Sequence, residues 1–403
     1  MAAKKKRNKV VSTYQPETQP SGQGAGFGVK ISRAQYIIET ALSIAFVALI
    51  ILPLIIRFLP ISINIQSMEK RTLAPKPRLI LSALSSFPEA FDAFYNDHFP
   101  FRNLMIRWNS IIKIRVFKDS PVPSKVIIGK KGWLFYADEG ALDNFKRARL
   151  FSDHELKIIQ RTVDSRNEFL KKQGIAYYLV LTPEKQTIYP ELMPDSIVPV
   201  NRASKLDQVV GYLRKYSSVK MIDARDDLFA ERGKHVLFRR IDTHWNQYGA
   251  FISSVSILRV VANDFPVIKT SIPSVSDFAI KSEVVSRGDL TDMLAIESDI
   301  FSERIPRMIP KYESRMQELR TMDYKKPLEE ERLVIRETPD PQLPRLLMFR
   351  DSFASALVPF LSNCFSRSVY IWSFFQDPAL IAREKPDIVI DEVNERYLHA
   401  LLQ

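Results

Sequence analysis

The hydrophobic pattern predicts a membrane-crossing helix near the amino end and an α/β domain after it. From Thr40 to Ile56 the chain has 17 residues without a charge, and apolar flanks extend this run over 36–61. At about 1.5 Å per residue, such a segment is long enough to cross a bilayer. It has no polar stripe, which disfavours a buried core helix, and no small-x-small cleavage motif follows it, which disfavours a cleaved signal peptide. We therefore predict an uncleaved transmembrane anchor.

After the anchor, apolar runs of strand length alternate with helical patterns. One helix, predicted over 152–172, begins at a capping sequence with Ser152 or Asp153 at the cap and Glu155 in the first turn. Continuous apolar strands between helices are typical of a doubly wound parallel sheet with both faces covered, and this is the predicted fold class. The other predicted elements are a hairpin at 125–136, strands at 175–181, 219–223, 346–349, 369–372 and 388–390, and helices at 202–216 and 248–261.

The same pattern divides the chain into segments. Residues 1–35 are rich in Lys, Pro, Gly, Gln and Ser, and we predict a disordered basic tail. The anchor at 36–61 is followed by a linker and helical segment at 62–124 and by the α/β domain at 125–403. Within that domain, residues 265–340 are Pro-rich and charged, and we expect an insertion or subdomain there.

The charge distribution bears on location and partners. The formal net charge is +12, of which residues 1–35 contribute +6 through seven Lys or Arg and one Glu. Because half of the excess lies in a short tail, a dedicated nucleic-acid-binding domain is not expected. By the positive-inside rule, the tail stays in the cytoplasm and the chain from about residue 62 onward lies outside it. We predict a single-pass protein of the cytoplasmic membrane with a periplasmic or other extracytoplasmic domain.

Metal and cofactor sites are not expected. Cys364 is the single cysteine, so neither an intramolecular disulfide nor a Cys-rich zinc site is possible. The five histidines include no pair at metal-ligand spacing. We predict no metal and no cofactor.

Two segments carry candidate chemistry at the edge of the predicted sheet where ligands bind. If residues 242–244 are extended, Asp242 and His244 point to one side, and the carboxylate can orient the imidazole. Ser352 follows an apolar strand at the start of a helical pattern, where its amide and the helix dipole can stabilise an oxyanion. The residues alone also allow ordinary structural roles. The Asp-x-His pair could stabilise a loop, and the serine could cap a helix.

These segments belong to a wider set of motifs. The chain resembles the alginate O-acetyltransferase group of SGNH-hydrolase-like proteins, the AlgJ/AlgX type, over nearly all of the chain that follows the anchor. The Asp-Thr-His-Trp and Trp-Leu-Phe sequences are the most specific motifs. The motifs lie at 94–102, 129–135, 182–185 with 189–190, 242–245 with 249–250, 288–290, 351–353 and 392–396.

The resemblance implies roles for individual residues. Ser352 would be the nucleophile, His244 its general base and Asp242 the residue that orients the base. In this family Asp-x-His precedes the serine, as it does here, but Arg350 stands where the family usually has glycine. The candidates for an oxyanion or substrate contact are Asn246, Arg350 and Lys185.

The resemblance also implies the activity and its partners. Family members O-acetylate exopolysaccharides outside the cytoplasmic membrane, usually with acetyl groups from a membrane-bound O-acyltransferase. We therefore expect a membrane-anchored O-acetyltransferase that acts on a secreted or cell-surface polysaccharide through an acyl-serine intermediate. Two alternatives remain at this point: an O-acetyl esterase with the same triad, and an inactive polysaccharide-binding or assembly scaffold, which Arg350 favours.

Overall fold

The computed structural model describes residues 32–58, 72–296, 300–312, 317–319 and 333–403. The chain divides into two units between Ile63 and Asn64. In the first, helix α1 (Arg33–Phe58) is long and apolar enough over Arg33–Leu52 to cross a membrane, by length and composition. The helix begins inside the segment predicted as tail. The rest of that tail, and the junction at 59–71, lie outside the described residues.

The second unit contains a central sheet, two small hairpins and the helices around them. Its α-helices are α2 Phe87–His98, α3 Arg102–Ile112, α4 Ala141–Lys146, α5 Asp153–Lys171, α6 Lys185–Ile188, α7 Lys205–Tyr216, α8 Arg225–Glu231, α9 Gln247–Asp264, α10 Asp289–Met293, α11 Val358–Leu361 and α12 Pro378–Glu384. Its strands are β1 Val126–Ile128, β2 Leu134–Tyr136, β3 Ala176–Thr182, β4 Lys220–Asp223, β5 Phe278–Val285, β6 Glu303–Pro310, β7 Gln317–Leu319, β8 Leu333–Glu337, β9 Arg345–Arg350, β10 Arg367–Trp372 and β11 Ile388–Asn394.

The central sheet is mixed rather than wholly parallel. Its strand order is β4-β3-β11-β9-β10-β8-β7. The first five strands run parallel, whereas β8 and β7 are antiparallel to their neighbours. All five strands predicted for the sheet are present, so this part of the prediction is confirmed. The order places the carboxyl ends of β3, β11 and β9 side by side.

Helices pack against both faces of this sheet. Ile390 of β11 belongs to a core that includes Phe251 and Leu258 of α9, whereas the preceding residue, Val389, belongs to a core with Leu170 of α5 and Ile381 of α12. Adjacent residues enter opposite cores because strand side chains alternate between faces. With apolar residues at both sets of positions, Ile388–Ile390 form a continuous apolar run, which explains why this part of the strand could be predicted from the sequence.

The helix start predicted at 152–155 is confirmed, and Ser152 rather than Asp153 is the cap. The Ser152 hydroxyl accepts a hydrogen bond from the Glu155 amide at 3.3 Å, and the Glu155 carboxylate accepts one from the Ser152 amide at 2.8 Å. These bonds satisfy two amide donors that a helix start leaves without intrahelical partners. Helix α5 therefore begins at Asp153, as the sequence indicates.

The segment 265–340 is only partly separate from the sheet. It forms the β5–β6 hairpin, but its later strands β7 and β8 join the main sheet. Strand β8 pairs with β10 over five residues, with Ile335 opposite Val369. The expectation of a distinct insertion up to residue 340 is thus wrong for these two strands. They cover the edge of β10, which would otherwise present unpaired backbone groups.

Candidate active site

The Asp-x-His pair lies on a tight loop rather than on an extended segment. The loop is closed by a bridge between Phe238 and Trp245, and the Arg239 amide donates to the His244 carbonyl at 3.0 Å. At its tip, one Asp242 carboxylate oxygen accepts from both the backbone amide (3.0 Å) and Nδ1 (2.8 Å) of His244. This is an Asx-type turn, in which a side chain binds the backbone two residues on. The predicted contact between Asp242 and His244 is present. It results from this turn and not from the alternation of side chains along a strand.

Ser352 lies two residues after the carboxyl end of β9. It precedes a short 3₁₀ helix, Phe353–Ala356, but its hydroxyl makes no capping bond to that helix. The Asp351 carboxylate performs the capping, accepting from the Phe353 amide at 2.8 Å. The Ser352 Oγ instead lies 3.0 Å from His244 Nε2. Asp242, His244 and Ser352 therefore form a continuous hydrogen-bonded chain.

Aromatic contacts join the two segments, which are separated by 108 residues. The Trp245 indole N–H donates to the Phe353 carbonyl at 3.1 Å. The buried Phe353 ring lies 5.2 Å from the His244 ring and 5.3 Å from the Trp245 ring. Residues adjacent to the base and the serine thus pack on each other, and this packing fixes the separation of the reacting groups.

A second carboxylate, Asp289, supports the loop and was missed as a site residue from sequence. Its oxygens accept from the Thr243 amide at 2.8 Å and from the Thr243 hydroxyl at 2.5 Å, and its own amide donates to Asp242 at 3.2 Å. One oxygen lies 3.7 Å from His244 Nδ1. The available signal was the Gly288–Leu290 motif, but nothing in its spacing relates it to His244, 45 residues earlier.

Two cationic side chains, Arg239 and Lys185, stabilise the loop through hydrogen bonds. Arg239 donates to the second Asp242 oxygen at 2.9 Å and to the Arg287 carbonyl at 2.6 Å. Lys185 is fully buried, and its ammonium donates to the carbonyls of Arg239 (2.9 Å) and Asp242 (2.7 Å). Lys185 was a candidate substrate contact. The structure gives it a positioning role instead, because its donors are engaged by the loop backbone.

The local charges shift the pKa values of these groups in opposite directions. Burial would raise the pKa of Asp242, but the hydrogen bond and charge of His244, together with the charge of Arg239, hold it far below its ordinary value. Burial would lower the pKa of His244, but the hydrogen bond and charge of Asp242, with Asp289, raise it. Burial lowers the pKa of Lys185 to about 8 against the opposing charges of Asp289 and Asp242. The site therefore stabilises an imidazolium, as a general base requires after it accepts a proton.

The other two candidate contact residues have different positions. Asn246 caps α9: its side-chain oxygen accepts from the amides of Tyr248 and Gly249, and its amide nitrogen donates to the Val236 carbonyl. This is a structural role, so the proposal of Asn246 as an oxyanion donor is corrected. Arg350 is buried; its Nη1 donates to the Ser355 hydroxyl at 2.7 Å, and its guanidinium carbon lies 5.3 Å from the centre of the Trp372 ring.

A buried carboxyl pair lies under the serine turn. The Asp351 amide donates to Glu392 at 3.1 Å, Thr182 donates to the other Glu392 oxygen at 2.7 Å, and the Asn394 amide donates to Asp351 at 2.8 Å. Burial and the neighbouring Asp351 charge raise the pKa of Glu392 well above its ordinary value. The strand ends of β3, β9 and β11 are thereby joined beneath Ser352.

One group of residues has donor atoms close enough together to hold a cation. The ligand atoms of Asp242, His244 and Asp289 lie within 4.8 Å of one another. Yet Asp242 and His244 are joined by a hydrogen bond, and Arg239 occupies the second Asp242 oxygen. A metal at this position would have to replace that hydrogen bond and tolerate the adjacent guanidinium, so these residues fit a proton-transfer pair better than a metal centre.

Comparison with known proteins identifies the family of this chain. Residues 126–336 match the family model described as the SGNH hydrolase-like domain of acetyltransferase AlgX. The matched segment includes Asp242 and His244 and ends before Ser352. The chain is 26% identical over 219 residues to a probable alginate O-acetylase AlgJ of Pseudomonas syringae pv. tomato, covering 54% of this chain and 53% of the relative. The corresponding Pseudomonas aeruginosa protein is 26% identical over 227 residues, covering 54% and 52%.

The chain thus spans about half the length of the curated relatives that it matches. Among solved structures, Bacillus cereus PatB1 is similar in fold, with a TM-score of 0.51 at 16% identity, covering 68% of this chain and 96% of PatB1. The family model covers more than half of the chain. The chain therefore belongs to the AlgJ/AlgX-type family of SGNH hydrolase-like acetyltransferases.

Proposed function

We propose that the protein is a membrane-anchored, extracytoplasmic O-acetyltransferase that acetylates a polysaccharide through an acyl-serine intermediate. The observation that carries the proposal is the hydrogen-bonded chain of Asp242, His244 and Ser352, with separations of 2.8 and 3.0 Å. Both distances are within the range in which a general base can act on a nucleophile. Family membership supports acetyl transfer as the reaction class.

In the first step, the Ser352 oxygen attacks the acetyl carbonyl of the donor while His244 Nε2 takes the hydroxyl proton. The tetrahedral intermediate places a negative charge on the former carbonyl oxygen. The Ser352 amide, at the start of the 3₁₀ helix, is the donor that we assign to this oxyanion. Collapse of the intermediate expels the donor's leaving group, which takes the proton from His244, and leaves acetyl-Ser352.

In the second step, a sugar hydroxyl loses its proton to His244 Nε2 and attacks the acetyl-serine ester. The sugar ester is released, and Ser352 regains the proton. Throughout, Asp242 keeps the proton on Nδ1 so that Nε2 is free to exchange protons. Water in place of the sugar would give an esterase, so product analysis separates the two activities.

The membrane arrangement is also part of this proposal. Helix α1 supplies a segment able to cross the membrane, and the basic residues before it favour a cytoplasmic amino end. Acetyl groups would come from a membrane-bound O-acyltransferase partner. A reporter fused after Lys70 should be active outside the cytoplasm, whereas one fused after Lys30 should not. A mature protein cleaved near residue 60 and released from the membrane would contradict the anchor.

The catalytic proposal is tested with Ser352→Ala in cells that make the acetylated polysaccharide. We expect loss of acetylation at normal protein levels, because the change removes the nucleophile but leaves the backbone amide. Ser373→Ala is the matched control: this serine follows the neighbouring strand β10, and its hydroxyl donates to the Phe375 carbonyl and accepts from the Phe375 amide. Full acetylation in Ser352→Ala would overturn the catalytic assignment and favour the scaffold alternative.

A further inference from the structure

Helix α3 has a row of large apolar side chains that are exposed to solvent. The helix is continued by one π-helical turn, Lys113–Phe117. Residues three or four positions apart lie on the same side of a helix. At such intervals, and each 46–68% exposed, the row contains Met105, Trp108, Ile112 and Val116. We call this row the apolar stripe of α3. A contiguous row of exposed apolar side chains is typical of an interaction surface.

Another side of the same helix packs against the catalytic domain. Ile114 is buried, Ile111 is partly buried, and both pack in a core that also contains Ile241, the residue before Asp242. Ile114 is two positions from Ile112, which places it about 200° around the helix from the stripe. The helix therefore buries one side in the domain and exposes a second apolar side. Packing among the described residues does not account for the stripe.

The charges beside the stripe are all positive. Residues 102–118 contain five Lys or Arg and no Asp or Glu. Lys113 follows Ile112 and Arg115 precedes Val116, so at about 100° per residue a cation lies on each side of the stripe. An apolar stripe that contains a tryptophan and has Lys and Arg along its borders is typical of a helix lying in the interface of an anionic membrane.

The length of the preceding chain keeps this surface near lipid. Thirteen residues, 59–71, separate the end of α1 from Thr72, and even a fully extended chain of this length spans no more than about 50 Å. If α1 is the membrane anchor proposed above, the second unit cannot move far from the bilayer. The bilayer is then present at a high effective concentration for any apolar surface of that unit.

We propose that the apolar stripe of α3 lies in the surface of the membrane, among anionic lipid headgroups. The inference rests on the membrane anchor of the proposed function and adds a second membrane contact to it. Because the other side of α3 packs in the core that contains Ile241, this contact would fix the catalytic domain relative to the bilayer. The catalytic loop would stay near the surface at which a membrane-bound partner delivers acetyl groups.

The test is the tryptophan fluorescence of the full chain in nanodiscs of phosphatidylcholine and phosphatidylglycerol, with or without bromine on the acyl chains. Bromine quenches a tryptophan that contacts lipid. Of the four tryptophans, none lies in α1, Trp133 and Trp245 are buried, and Trp108 and Trp372 are exposed. We expect brominated lipid to remove up to about a quarter of the emission, the share of one tryptophan in four. Trp108→Phe should abolish this loss, whereas Trp372→Phe should retain it.

A second variant alters the stripe and leaves Trp108 in place. Ile112→Glu puts a carboxylate among anionic headgroups and should reduce the quenching about twofold or more. Val198→Glu is the control, since Val198 is also exposed but lies outside α3, and it should leave the quenching unchanged. Nanodiscs of phosphatidylcholine alone should quench less than those with phosphatidylglycerol, because they lack the charge that attracts Lys and Arg.

The outcomes separate this inference from the proposed function. Equal emission with ordinary and brominated lipid, or quenching that persists in Trp108→Phe or is unchanged in Ile112→Glu, would overturn the lipid contact and favour a protein partner for the stripe. Equal quenching with and without phosphatidylglycerol would overturn the anionic surface. A chain that does not co-elute with nanodiscs would overturn the anchor, and this inference with it. Absence of Ser352 labelling by p-nitrophenyl acetate, with normal quenching, would remove the catalytic proposal alone.

Discussion

Gly288 packs so closely against the loop that carries Asp242 that substitution by alanine should displace this loop. A Cβ atom at this position would lie 2.3 Å from the Ile241 carbonyl oxygen and 3.0 Å from the Asp242 Cβ. Its φ of −152° and ψ of 167° are ordinary extended values, so alanine meets no dihedral restriction there. The whole effect of Gly288→Ala must therefore come from the steric contact with the loop.

The size of the effect follows from the overlap. Ordinary carbon–oxygen contact begins near 3.4 Å, so the carbonyl or the α10 backbone must move by about 1 Å. Overpacking of this kind costs about 1–3 kcal/mol of stability. The carbonyl belongs to the residue just before Asp242, and a displacement of about 1 Å at a catalytic group can lower the rate about 10²-fold. We expect Gly288→Ala to remain folded, with a Tm a few degrees lower and acetyl-serine formation reduced about 100-fold.

The assay compares thermal unfolding and the rate of Ser352 acetylation for the full chain in detergent. Gly211→Ala is the matched control, since a Cβ at that exposed position in α7 meets no atom of the described residues within 4 Å beyond its neighbours and the backbone of its own helix. There, alanine should raise the stability by about 0.5–1 kcal/mol and leave the acetylation rate unchanged. Wild-type stability together with a wild-type rate in Gly288→Ala would refute the steric argument.

Three further changes test the electrostatics of the site. Only neutral His244 can accept a proton, and its pKa is raised, so the acetylation rate should increase with pH through a value above the ordinary 6.5. Asp242→Asn should shift this increase in rate to lower pH and reduce the rate by as much as about 10⁴-fold. The pKa of Glu392 is raised in the folded state, so the folded protein holds this proton more tightly than the unfolded chain does. The free energy of unfolding should therefore fall as the pH rises above the ordinary pKa of about 4.5, by up to about 1.4 kcal/mol per pH unit. Glu392→Gln should flatten this dependence in chemical unfolding between pH 5 and pH 8, and an unchanged slope would contradict the assignment. Lys185→Met should cost about 1–3 kcal/mol for each buried carbonyl left without a donor and should reduce acetylation, whereas unaltered unfolding would show that the ammonium is not needed.

The sequence was most informative where local rules decide the structure. The capping bonds of Ser152 and Glu155 involve residues three apart, and the central strands contain short apolar runs such as Ile388–Ile390 of β11. The contact between Asp242 and His244 is also local, although an Asx turn rather than an extended strand produces it. In these cases, the interacting residues are close in sequence, so a pattern over a few positions contains the necessary information.

Long-range contacts account for what the sequence did not indicate. The contact of Asp289 with Thr243 depends on the path of the chain over 46 residues, and no local pattern encodes it. Strand β8 was assigned to an insertion because its pairing with β10 is likewise non-local. Asn246 is the opposite case: it precedes helix α9 and has the residue type favoured at an N-cap, so the ordinary capping rule was the better guide.

The most direct test of the central claim is to locate the acetyl group on the protein. The full chain is treated with p-nitrophenyl acetate, quenched in acid and digested, and the peptides are sequenced by mass spectrometry. The account predicts the mass of one added acetyl group on the peptide containing Ser352, located at that serine. The label should be absent in His244→Ala and retained in Ser373→Ala. An acetyl group found only on other residues, or labelling of Ser352 at an equal rate in His244→Ala, would contradict the acyl-serine mechanism.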